Sequence, residues 1–66
     1  MEVDAIYVSV WDDQVELRSA CKFNPETKEV SNIEQNDSEV DGQLTDESVE
    51  VNGESFNDDD GVTFNY

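Results

Sequence analysis

The chain has 66 residues, with 18 Asp and Glu against three Lys and Arg, no His, and a formal charge of −15. So short a chain makes one domain. With no His and one Cys it lacks the usual near-neutral acid/base, an internal disulfide and a Cys-based zinc site, its three bases make no cationic footprint for nucleic acid, and an anionic membrane surface repels it.

Val3 to Trp11 is rich in β-branched and aromatic residues, the composition of a strand. Ile6, Val8 and Val10 share one face, and Val3, Ala5, Tyr7 and Trp11 the other. Apolar residues on both faces predict a central strand. Asp12-Asp13 makes a tight turn. Val15 to Phe23 alternates: Val15, Leu17, Ser19, Cys21 and Phe23 point one way, while Glu16, Arg18, Ala20 and Lys22 point to water. Asn24-Pro25-Glu26-Thr27 is a turn with Pro at its second position. Lys28 to Glu34 is a third strand in which Val30 and Ile33 fall out of phase, predicting a bulge or an early end.

Residues 35–43 are polar and turn-rich, a loop. Thr45-Asp46-Glu47-Ser48 has the composition of a helix N-terminus and allows one short helical turn. Asn52-Gly53 between alternating residues is the strongest hairpin signal in the chain, because a type I′ turn needs two positive φ angles. Asn57 to Gly61 is an acidic turn, and Val62 to Tyr66 a last short strand. The predicted fold is mainly β: a small antiparallel meander of five or six short strands spanning residues 1–66. Mean hydropathy is −0.75, which leans toward disorder, but the apolar residues are grouped and 9% of the chain is aromatic, which favours a folded domain stabilised by salt and mild acid.

The acids are unevenly spread. Residues 1–30 hold seven acids and three bases, and residues 31–66 hold eleven acids and no base. A compact domain of this length has a radius of gyration of about 11 Å, and 15 charges match roughly 26 Å of duplex DNA at one charge per ~1.7 Å. In a strand, carboxylates two residues apart lie about 6.7 Å apart on one face, near the spacing of successive phosphates, and they accept bidentate Arg hydrogen bonds as phosphates do. The candidate partner-binding acids are Glu47, Glu50, Glu54, Asp58, Asp59 and Asp60, with Asp37, Glu39 and Asp41 second.

Other chemistry is poorly supported. Placing Gly42 at the sixth position of a calcium loop puts Asp37, Glu39 and Asp41 at the first, third and fifth, but Ser48 stands where the bidentate Glu is needed. Placing Gly61 there runs the loop past the last residue, so both stretches are read as solvated acidic turns and no metal is expected. Cys21 reads as a core residue with no His to activate it. Trp11, beside two aspartates, is either a sheet-end aromatic or an interface anchor. Neither an enzyme nor a cofactor is expected. With no 18-residue apolar run and no leader-like N-terminus, the expected location is a bacterial cytoplasm.

In small size, extreme acidity and compact β character, the chain resembles counter-defence proteins of phages and mobile elements: anti-CRISPR and anti-restriction proteins of the DNA-mimic kind, and acidic inhibitors of uracil-DNA glycosylase. The resemblance is one of overall character and carries no residue by position. It implies an inhibitor whose partner is a basic DNA-binding protein, such as a CRISPR effector complex or a restriction or repair enzyme, blocked by occupation. The competing expectation is an acidic interaction module that binds a basic partner without imitating nucleic acid; a third is acidity kept for solubility.

Overall fold

The computed structural model describes residues 1–34 and 42–65. The predicted strands form, and they build one six-stranded sheet. They are β1 (Val3–Trp11), β2 (Val15–Asn24), β3 (Glu29–Ser31), β4 (Leu44–Val51), β5 (Glu54–Asn57) and β6 (Thr63–Phe64). The order across the sheet is β5-β4-β1-β2-β3-β6. The strand with apolar residues on both faces, β1, sits between β2 and β4. Two features depart from a simple meander. β4 returns to the free side of β1, and β6 pairs parallel with β3. The third strand ends early, at Ser31, where Asn32 takes a left-handed φ of 52°.

The helical turn lies elsewhere than Thr45–Ser48. Those residues are part of β4, with a register shift opposite Val10 and Trp11, because pairing along β1 outweighs a local capping preference. The acidic turn instead forms a single 3-10 turn, Asp58–Asp60, closed by a capping box. The Asn57 side chain accepts from the Asp59 amide, and the Asp60 carboxylate accepts from the Asn57 amide at 3.1 Å. The second bond also engages a backbone donor of the edge strand β5, which limits edge-to-edge pairing.

The sheet is strongly curled. Five flat strand spacings separate β5 from β6 by about 24 Å, more than the ~20 Å that the chain from Asn57 to Thr63 covers even fully extended. Aromatic contacts show the same curvature. Phe23 on β2 and Phe56 on β5 are three strands apart, about 14 Å in a flat sheet, yet their rings stack at 6.1 Å. Tyr7 on β1 and Phe64 on β6 are also three strands apart and meet edge to face at 5.7 Å. The long axis is 34 Å and the radius of gyration 11.3 Å.

The core lies on the concave face: Ala5, Tyr7, Cys21, Phe23, Val30, Val49 and Val62. The convex face carries Ile6, Val8 and Val10 of β1 between charged neighbours. Arg18 on β2 pairs with Glu50 on β4, so the ion pair passes over β1, and Lys22 pairs with Asp4. Both bases lie on the face that the alternation of β2 predicts for them. The Lys22 ammonium, by hydrogen bond and charge, holds the Asp4 carboxyl below its usual range. Its contribution is present above the ordinary carboxylate range, is lost as pH falls through the lowered value, and is small because the pair is exposed.

Two turns set the hairpins. Asn52 and Gly53, at φ 51° and 83°, give the expected type I′ geometry. Asp12 and Asp13 are both left-handed, at φ 52° and 57°, with Gln14 N–H donating to the Trp11 carbonyl at 3.0 Å. Asp12 is held there by Gln43. Its amide donates to the Gln43 carbonyl, and its carboxylate accepts from the Gln43 amide at 3.1 Å. Gly42 makes this approach possible, since a Cβ there would lie 2.0 Å from the Asp12 carboxylate.

Left-handed backbone costs an L-residue roughly 1 kcal/mol, and Asp13 uses only its amide, which donates to Thr45 Oγ1. Asp13→Gly is therefore expected to raise unfolding stability in urea by about 1 kcal/mol; a loss of stability would count against the turn geometry. Burial pushes the Cys21 thiol up from 9.0 to about 11. Its contribution to stability is complete below about 9 and is lost as pH rises toward 11. Measured between about pH 8 and about pH 10.5, the unfolding free energy of the natural chain should fall more steeply than that of Cys21→Ala, and parallel curves would place the thiol in water.

Candidate docking surface

The concave face is built in cross-strand rows, fixed by the register of β2, β1 and β4. Phe23 beside Val3, and Cys21 beside Ala5, form the apolar end. Next comes Ser19–Tyr7–Val49, then Leu17–Ser9–Glu47, and finally Val15–Trp11–Leu44 at the rim. Tyr7 is 1% exposed, and its hydroxyl donates to Glu47 Oε2 at 2.8 Å. Ser9 is wholly buried and accepts from Trp11 Nε1 at 3.0 Å. Ser19 Oγ, also buried, has no hydrogen-bond partner among the described residues. A polar layer thus separates the core from the last apolar row.

The acids sort by this geometry. Glu47 and Glu50 lie three apart in one strand and therefore on opposite faces: Glu47 concave against Tyr7, Glu50 convex against Arg18. Glu54 stands opposite Val51, beside the Asn52-Gly53 turn at the other end of the β4–β5 hairpin. Asp60 is spent on the capping box, and its carbonyl accepts from Lys28 Nζ at 3.2 Å. Asp37, Glu39 and Asp41 lie outside the described residues.

Three of the expected acids do come together. Glu47, Asp58 and Asp59 line an open depression of about 350 Å³ with Asp46, Leu44 and Thr45, and no base contributes to its wall. The Asp12-Asp13 turn fringes the same end through its bonds to Gln43 and Thr45. Asp12, Asp13 and Asp46 were not among the expected residues; the two aspartates were visible as a tight turn, but their contact with Thr45 was not. Among the described residues, Arg18 and Lys22 are engaged on the other face, and Lys28 borders the 3-10 turn without lining the depression. Arg18 lies with Glu50 and 3.9 Å from Glu16, and Lys22 with Asp4. No group of acids among the described residues is arranged to hold a metal ion, and no helix there is long and apolar enough to cross a membrane.

No family model, curated protein or solved structure matches this chain.

The rim acids differ in what they do for the fold. Hydrogen bonds to charged groups contribute about 1.5–3 kcal/mol, so Glu47→Ala is expected to destabilise by that amount in urea unfolding. The pair Asp58→Asn, Asp59→Asn, exposed and amid like charges, should be neutral or stabilising. Equal losses in the two variants would contradict the Tyr7–Glu47 bond as a structural element.

Proposed function

We propose that the chain is a protein inhibitor that presents nucleic-acid-like charge and blocks the DNA-binding surface of a basic protein of host defence or repair, acting by occupation and not as an enzyme. The observation that carries this reading is the rim itself, where Asp46, Glu47, Asp58 and Asp59 line one depression with no base in its wall, and the Asp12-Asp13 turn adjoins it through Gln43 and Thr45. Setting aside Asp37, Glu39 and Asp41 leaves 15 acids against three bases in the described residues. Along the 34 Å axis that is about one net charge per ~2.8 Å, the order of duplex DNA's ~1.7 Å.

A groove that evolved for phosphates accepts carboxylates through the same Arg and Lys donors. Complementary fields speed encounter and make binding salt-sensitive. The second reading, an acidic module that binds a basic partner without imitating nucleic acid, shares the rim and differs only in what competes with it.

The test is capture of proteins from a bacterial lysate on the immobilised chain at about 0.1 and about 0.5 M NaCl, followed by elution with duplex DNA. DNA-binding proteins should be held at low salt, released by duplex DNA, and lost from the variant carrying Asp46→Lys, Asp58→Lys and Asp59→Lys. Capture that duplex DNA does not disturb favours the acidic module instead. Capture that survives the triple reversal removes the rim from both readings.

A further inference from the structure

The last row of the concave face, Val15–Trp11–Leu44, is not used by the fold as core. The core and its partly buried neighbours, which include Val3, Val51 and Phe56, do not extend to these three residues. The polar layer of Tyr7, Glu47, Ser9 and Ser19 intervenes. Val15 is 47% exposed, and Trp11 and Leu44 are partly exposed. The three lie side by side on adjacent strands, a row about 10 Å long at the usual strand spacing. Acids surround it: Asp12 and Asp13 in the turn between Trp11 and Val15, and Asp46, Glu47, Asp58 and Asp59 around Leu44.

An aromatic and two aliphatic residues ringed by charge is the arrangement of a protein-binding hot spot, a centre that loses water inside a polar rim. The convex face also exposes an apolar residue, Ile6, but there Arg18 and Lys22 are interleaved with the acids and paired to them. In the rim row, Val15 is exposed and Leu44 lines a depression whose wall holds no base.

We infer that Val15, Trp11 and Leu44 form the apolar centre of the docking surface, and that the segment it receives from its partner is amphipathic, with an apolar side chain flanked by Lys or Arg. The inference rests on the reading of the rim as a docking surface for a basic protein, and it adds that charge alone does not account for binding. Phosphates and sugars have no counterpart for this row. The partner is therefore recognised as a protein through the row, and as a DNA-binding surface through the carboxylates.

Trp11 is the one Trp in the chain, so its fluorescence reports on the row directly. The probes are two synthetic peptides of equal length and equal positive charge, one of Lys and Gly and one of Lys and Leu with Leu at helical spacing. Titrated into the full chain at about 0.15 M NaCl, the Lys/Leu peptide is expected to bind at least tenfold more tightly, to shift the Trp11 emission to the blue, and to keep much of its affinity at higher salt. Val15→Ser, at an exposed position, should weaken the Lys/Leu peptide about threefold while leaving the Lys/Gly peptide unchanged, as expected for burying part of one Val. Val15→Ser with Leu44→Ser should weaken it further, with circular dichroism verifying the fold. Equal binding of the two peptides with no change in Trp11 emission overturns the apolar centre and leaves the acidic rim standing. Binding of neither peptide overturns the rim as well.

Discussion

Tyr7 is the residue on which the arrangement turns. Its ring is almost wholly buried and meets Phe64 edge to face across three strand positions. Its hydroxyl holds Glu47 at 2.8 Å. The ring contact belongs to the closure of the sheet, in which β6 is brought under β1. The hydroxyl bond belongs to the polar layer, which ends the core. One side chain therefore fixes both how far the sheet curls and where its apolar interior stops. A buried phenol suits this place because its body is apolar and its tip needs a partner.

The same architecture divides the charge. Strand alternation sends Arg18 and Lys22 to the convex face, where Glu50 and Asp4 meet them. Alternation gives the concave rim no base, and the 3-10 turn then delivers Asp58 and Asp59 beside Glu47, with Asp46, opposite Val10, completing the wall of the depression from the other side of β4. A charge of −15 acts against any compact state. The chain meets that cost locally with hydrogen bonds that use acids as acceptors. Asp12 accepts from Gln43, Asp60 from Asn57, and Glu2 from Ser31. Two of the acids lining the depression are used in the same way, Asp46 accepting from the Glu47 amide at 2.9 Å and Glu47 from the Tyr7 hydroxyl.

Much of the fold was legible because strands and hairpins are written in short-range pattern. The alternation of Val15 to Phe23, the two-sided apolar character of Val3 to Trp11 and the Asn52-Gly53 signal all correspond to observed strands and turns. Strand order was not legible. Nothing local says that β4 returns to β1, or that β6 runs parallel to β3, because both depend on the curl and on contacts such as Tyr7–Phe64. The candidate site failed to assemble as grouped for a related reason. Glu47 and Glu50 lie three apart in β4 and therefore point to opposite faces, and which face each takes is set by the β1–β4 register. Asp12 and Asp13 were legible as a turn, but their place beside Thr45 was not, since it depends on the β1–β4 pairing.

The uneven field of the folded chain can be measured residue by residue. Amide protons of the ¹⁵N-labelled protein are relaxed by a cationic and by a neutral nitroxide of the same size, and the ratio of the two rates gives the local potential. The expected map is most negative at Asp12, Asp13, Asp46, Glu47, Asp58 and Asp59 and markedly weaker along Arg18, Ala20 and Lys22. A potential that is uniform over the surface, or strongest at Glu50 and Glu54, would contradict the base-free rim as the organising feature of this molecule.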